Sequence, residues 1–495
     1  MRSDAKGFLV VAIGGGVGAF LIASVLGSWT VASALLAVAI LAVATYPLIA
    51  RVRERRFDLL EPIVGGSIAL GVIFGIRPIA MLIVGDFAHR DKDTSPEFEF
   101  VLGIGLVGTV AFTAAYEWLR QRQRIPTSRD LAPTIESAPG FERGVAFGYL
   151  LTLVSLSVAL FLIHLSRLGS DVVDGFRLMT GGVTAELASR WNDTTEYLSA
   201  SPILSACAAT LVGVSLRWRL TRRQLAIVVM LVAYPTLVFY LSGDRRYVLP
   251  SIGVPLVAWM LSSGTRPGRR VLLTVVPVAF LVLATIPFIR WAEARNESGG
   301  VAAAFIEGLG NPARTVNRFI LGPDTAMVSA LALEVRALRT PQDFFYGRAT
   351  VGDLLLAPVP HIVFPGKPQT ARNEMLIKTY GAPCETSVGG ICDDFSIIGT
   401  FYQDFWIPGV ALLMALVGAA SAAIWGRWQR SPLDARLVVV TASWVVFVPI
   451  VFRAGFMPAF QWCLYFLVPC LLGAVLSTFQ GSRHGAIDKR PRSAF

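Results

Sequence analysis

Charge is scarce in this sequence: Asp, Glu, Lys and Arg make up 16% of 495 residues, and 54% are hydrophobic. A chain so poor in charge cannot clothe the polar faces of several soluble domains, which is how a soluble protein of this length is organised. Histidine is rarer still, with four in all, and no His or Cys pair falls at metal-ligand spacing. Neither a metal nor a cofactor is expected. Five cysteines are too few for a disulfide scaffold, and Cys207, Cys463 and Cys470 sit inside apolar runs as packing residues. The 44 basic residues outnumber the 33 acidic ones, but they lie in short clusters and make no face or arm, which argues against nucleic acid as a partner.

What is present is one apolar run after another, with a mean hydropathy of +0.61. Each run is about 17 to 25 residues long, the length that crosses a bilayer as a helix. The predicted spans are Phe8 to Leu26, Thr30 to Ala50, Leu60 to Val84, Phe100 to Leu119, Val145 to Leu165 and Leu198 to Leu216. They continue with Gln224 to Leu241, Tyr247 to Ser262, Val271 to Phe288, Ile397 to Ile424, Leu437 to Val451 and Met457 to Thr478. In hydrocarbon the backbone must bond within its own segment, and the runs do not alternate in polarity. The expected fold is therefore an all-α polytopic membrane protein of about twelve transmembrane helices. Basic clusters RVRERR, RQRQR, RWRLTRR, RPGRR and GRWQR fall at every second junction and place both termini in the cytoplasm. The chain divides into helices 1 to 9 over 1–289, a large external, membrane-associated loop over 290–396, helices 10 to 12 over 397–480, and a basic cytoplasmic tail over 481–495.

Connections as long as 290–396 are functional or disordered, and this one carries too many apolar residues for disorder. Within it, PDTAMVSALALEVRAL predicts a helix, either lying in the membrane interface or packed on its own loop. Arginine outside the basic loops runs against the topology rule and marks an anionic ligand or a structural partner. Arg245 and Arg246 stand together in the turn SGDRRYVLP, where they could clamp a diphosphate or reach headgroups. Arg77, beside Pro78, and Arg453 pose the same choice. The large loop adds Arg290, Arg314, Arg348, Lys367, Arg372 and Lys378. In LLLAPVPHIVFPGKPQTARNE, prolines and a glycine fix an extended path that presents His361, Lys367 and Arg372 on a stiff support. His361 could serve as a general base or as a structural imidazole. Asp91 with Asp93, and Asp393 with Asp394, are carboxylate pairs that a cation or plain water would satisfy. Cys384 and Cys392, in CETSVGGIC, fall on the oxidising side of this topology, and a disulfide between them is expected.

Two segments, YGRATVGDLLLAPVPHIVFPGKP and SIIGTFYQDFWIPGV, together resemble the oligosaccharide repeat-unit polymerases, the O-antigen polymerase type of bacterial membrane protein, and the related O-antigen ligases. The matching positions are Pro365, Lys367 and Pro368, then Gly399, Tyr402, Phe405 and Gly409, with the SGDRRYVL turn as a third likeness. Members often carry Glu where this chain has Thr400, Asn and Gly where it has Asp404 and Trp406, and Arg around His361. The resemblance implies a glycosyltransferase of the bacterial cytoplasmic membrane, independent of metal and active on the extracytoplasmic face. Its substrate would be a polyprenyl-diphosphate-linked oligosaccharide, and its partners membrane lipids, a chain-length regulator and a flippase. It also implies site roles: Arg245, Arg246, Arg290, Arg314, Lys367 and Arg372 for the diphosphate, and His361, Asp404 or Asp394 for the base. Other readings of the same layout are another lipid-linked glycan transferase or ligase, or a lipid or polysaccharide carrier. A carrier would be expected to show two related halves, which the loop lengths do not.

Overall fold

The computed structural model describes residues 28–54, 57–89, 92–123, 147–180, 198–216, 220–242, 245–264, 301–322, 325–356, 359, 364, 366, 368–381, 395–432 and 434–487. The expected spans at Phe8 to Leu26 and Val271 to Phe288, and most of the tail, lie outside them. Among the described residues eight helices are long and apolar enough to cross a membrane. The protein is an all-α, multi-pass membrane protein.

Helix α1 (Trp29–Arg53) leads into α2 (Pro62–Val84), whose turn at Val72–Ile76 widens to π-helical geometry. A two-rung hairpin, β1 (Ala88–His89) with β2 (Lys92–Asp93), then turns the chain into α3 (Ser95–Arg122). There follow α4 (Phe147–Leu168), α5 (Val172–Thr180), the short apolar α6 (Ile203–Ser215), α7 (Arg222–Leu241) and α8 (Arg245–Ser263). The large connection holds α9 (Val301–Gly310), α10 (Pro312–Leu321), α11 (Met327–Ala337), α12 (Asp353–Leu356) and α13 (Ala371–Tyr380). The last spans are α14 (Ile397–Arg430), α15 (Ala435–Ala454) and α16 (Phe456–Ile487).

The centre of the bundle is α15, of whose apolar stretch 61% is buried, while α7, at 22%, lies at its edge. Helices α3 and α14 pack most closely, because glycine lets their backbones touch. A Cβ on Gly418 would stand 2.3 Å from the carbonyl oxygen of Phe112. Replacing Gly418 by Ala is expected to force the two helices apart, at a cost of about 1–3 kcal/mol. A melt of the purified protein in detergent should show the midpoint fall by roughly 1–3 °C.

The two ends of the bundle are tied differently. At the end where α1 and α3 finish, Arg51 meets Glu61 at 3.1 Å and Glu117 at 2.6 Å, Arg120 meets Glu61 at 3.0 Å, and the Tyr116 hydroxyl donates to Glu61. This buried group balances its own charge, which is how ions persist in an apolar setting. At the opposite end the large connection is held down. The guanidinium of Arg77 donates to the carbonyls of Ile320 (3.0 Å) and Gly322 (2.7 Å) and to the Thr325 hydroxyl (2.8 Å), closing the C-terminal end of α10. Lys92 does the same for α13 through the Thr379 carbonyl at 2.6 Å, and Arg336 pairs with Glu97. Cations at helix C-termini complement the helix dipole. Arg77→Met is expected to speed amide hydrogen exchange over 312–325 by about 10- to 100-fold while α14 to α16 stay protected, since hydrogen bonds to a charged group are worth about 1.5–3 kcal/mol.

One expectation is decided here. Helix α11 does not lie in an interface: every residue from Met327 to Glu334 is buried, packed against α3, α13 and α14.

Candidate functional site

The site begins with a proline. In α14 the carbonyl of Asp404 would normally accept from the backbone of residue 408, but Pro408 has no N–H. The helix breaks just before it, at Phe405 (φ −143°, ψ 20°) and Trp406 (φ 58°, ψ −154°). Trp406 sits in the positive-φ region that costs a side-chain-bearing residue about 1–3 kcal/mol, so its surroundings must hold it there. They do so by filling the gap. The backbone of Phe345 donates to the Gln403 carbonyl at 2.9 Å, and that of Tyr346 to the Asp404 carbonyl at 3.1 Å. The large connection is thus bonded to the peptide carbonyls at the break, that of Asp404, which the proline leaves open, among them.

Directly after this contact the chain turns into a short helix, a π-helical turn at Arg348–Gly352 running into α12. Its N-terminal end points at the Asp404 carboxylate, which accepts from Ala349 N (2.9 Å), Thr350 N (2.8 Å) and Thr350 Oγ1 (2.7 Å). A carboxylate at a helix N-terminus meets unsatisfied N–H groups and the positive end of the dipole. The pattern repeats one step on. Asp353 accepts from Ala371 N (3.0 Å) and Arg372 N (3.4 Å), the first residues of α13, which Thr370 caps by accepting from Asn373. Gln403 donates its amide to Glu334 at 3.0 Å, and Glu334 lies so close to Gly399 that a Cβ there would come within 2.8 Å of its carboxylate.

These elements enclose a cleft lined by Ala349, Asp353, Arg372, Phe395, Thr400, Gln403 and Ala454. Burial lifts the Asp353 carboxyl from its ordinary 3.8 to about 6, against the two backbone donors and the charge of Arg348, which pull it down. A carboxyl poised there holds and releases a proton near neutral pH. Arg372 supplies a guanidinium on the same wall. Arg348 is spoken for by Glu374 at 2.8 Å and the Gln369 carbonyl at 2.7 Å.

Of the residues singled out from sequence, Gly399, Tyr402, Phe405 and Gly409 all fall on α14 around the break, and Tyr402 stacks edge-on with Phe344 of the large connection. Arg372 lines the cleft, and Pro368 lies exposed just before α13. Asp404 is fully buried, takes three donors from Ala349 and Thr350, and is not among the residues that line the cleft; its geometry makes it the anchor of the loop. Arg245, Arg246 and Arg314 begin or lie on helices α8 and α10, and their side chains fall outside the described residues. Outside them too are His361, Asp394, Arg290, Lys367, Pro365, Cys384, Cys392 and Asp91. Asp93 accepts from Ser95 N and Oγ at the start of α3, the role of a helix cap. Asp353 and Glu334 escaped the sequence reading. Glu334 carried a legible sign, being the one acid among the apolar residues of its helix.

No protein-family model, curated protein or solved structure matches the chain. What the fold and the cleft define is a class: a multi-pass α-helical membrane protein with a carboxylate- and guanidinium-bearing cleft at one end of its bundle.

Proposed function

We propose that this protein is an oligosaccharide repeat-unit polymerase of the bacterial cytoplasmic membrane. About twelve spans leave both termini in the cytoplasm and set the large loop and its cleft on the outer face. The observation that carries this reading is the meeting of the two segments on which the resemblance rests. They are separate in sequence, yet Tyr346, Ala349 and Thr350 of the first all bond Asp404 of the second, Phe345 just before the first bonds Gln403, and the cleft opens between them.

In this reading a sugar hydroxyl of one lipid-linked unit attacks the anomeric carbon of the glycan on another. The new glycosidic C–O bond forms as the C–O bond to the diphosphate breaks, and the polyprenyl diphosphate leaves with the electron pair. Asp353 takes the hydroxyl proton, with His361 and Asp394 as further candidates from the same loop. Arg372 meets the charge that grows on the leaving group, since a fixed guanidinium in a water-poor cleft is worth more than in solution. Arg245, Arg246, Arg290, Arg314 and Lys367 extend that positive surface.

Deleting the gene in its host and profiling surface polysaccharide with its lipid-linked precursors tests the proposal. Loss of long chains with single units gathered on the outer membrane face is the expected result. Single units held on the inner face, or no change in any glycan, would replace it with a carrier.

A further inference from the structure

The short helix over 348–356 has two unlike faces. Ala349, Thr350 and Asp353 are buried, and Ala349 and Asp353, four apart, line the cleft. Val351 and Leu355, also four apart and on the other side, are 58% and 70% exposed. In water this would leave two large aliphatic groups largely unburied. Their surroundings are apolar as well. The helix packs on α14 and α16, and on α14 the exposed residues Pro408, Leu412, Leu416 and Ala420 run at helical spacing down the span. That stripe is the face a membrane-crossing helix gives to lipid. Exposed Phe405 and Trp406 carry it up through the break, and the ring of Phe405 lies over Gly347 at the start of the short helix. Aromatic side chains collect where hydrocarbon gives way to water. Partly exposed Arg348 and Lys378 stand nearby, paired through Glu374, at the place where basic side chains reach headgroups.

We propose that the helix over 348–356 is seated in the boundary of the bilayer, with Val351 and Leu355 against lipid chains and Ala349 and Asp353 against the cleft. A single helix, about 10 Å across, then separates lipid from the polar cleft. An amphiphile could set its polar end at the mouth of the cleft and keep its apolar part in the membrane. The placement draws on continuity with the lipid-facing stripe of α14 and does not depend on the transferase reading.

The experiment reads lipid contact alone. In the full-length protein, Leu355→Cys, Val351→Cys and, as a water-facing comparison, Gln342→Cys are each labelled with a bimane maleimide. The protein is then reconstituted in phosphatidylcholine and phosphatidylglycerol vesicles with or without brominated acyl chains. Cys207, Cys463 and Cys470 are buried, and the parent protein carried through the same labelling sets the background. Brominated lipid is expected to quench the labels at 351 and 355 at least about twofold more than the label at 342, with iodide in the water phase doing the reverse. Quenching of both by iodide as strongly as at 342 would overturn the proposal. So would a face that neither quencher reaches, which would mean a protein partner or a second copy covers it, and so would lipid contact at only one of the two positions. If the precursor profile rejects a polymerase while both labels meet lipid, the placement stands and the function is revised.

Discussion

Asp353→Asn is expected to stop chain growth and to make the protein more stable. The first effect follows from removing the proposed proton acceptor, worth about 10²- to 10⁴-fold in rate. The second follows from burial. A carboxyl whose value rises on folding, from 3.8 to about 6, gives a contribution fully present below pH 3.8 and lost as pH climbs through 6. Above that, the folded protein carries a charge its surroundings disfavour, by up to roughly 3 kcal/mol for a shift of about two units. Asn keeps the shape and an oxygen for Ala371 N, gives up only the long 3.4 Å contact from Arg372 N, and never ionises. Its melting midpoint at pH 7.5 should therefore exceed that of the native chain, and the gap should close toward pH 4. For the native protein, polymer formation in membranes should climb as pH rises through 6 and then level. A variant that polymerises normally would remove Asp353 from the mechanism.

Asp404→Asn should do the opposite. Its carboxylate takes three donors from Ala349 and Thr350, and an amide would turn an N–H₂ group toward one of them. The loss is about 3 kcal/mol or more, because one buried partner is removed and the others remain. Lower thermal stability and earlier proteolysis within 345–356 are expected, with polymer falling in step with the folded fraction at every pH. Were Asp404 the base, activity would vanish while the melt stayed where it was. Read together, the two asparagine variants separate a residue that moves a proton from one that holds a loop.

Most of the spans could be read from the amino acids because a membrane helix writes its signal locally. The run expected at Thr30 to Ala50 is α1, Trp29–Arg53, and the one expected at Gln224 to Leu241 is α7, Arg222–Leu241. The site was harder because its logic joins distant residues. Pro408 announces a break in α14, but nothing nearby says that Phe345 and Tyr346 will take up the carbonyls at that break. Apolar spacing in α11 shows that one face is buried and cannot show that α3, α13 and α14 cover the rest, so an interfacial position stayed open for a helix that lies inside. Helix α13 was readable, with Thr370 capping it and Gly381 closing it, yet the prolines before it drew the eye to an extended path. Asp353 lies within YGRATVGDLLLAPVPHIVFPGKP, but nothing local shows that the first N–H groups of α13, 18 and 19 residues on, will close over it.

Arg77 sets a problem of timing. The acceptors that satisfy it lie 243 to 248 residues further along the chain. At a ribosome speed of about 5–20 residues per second, the guanidinium waits roughly 12 to 50 s between its own synthesis and theirs. During that interval the newly inserted segment carries a charge in an apolar setting without the acceptors that later hold it, so it must lean on water, headgroups or an insertion factor. A nascent chain halted before residue 320 would keep that charge permanently unanswered. The arginine that fastens the finished loop is thereby also a group whose partners are missing from every copy that was never finished.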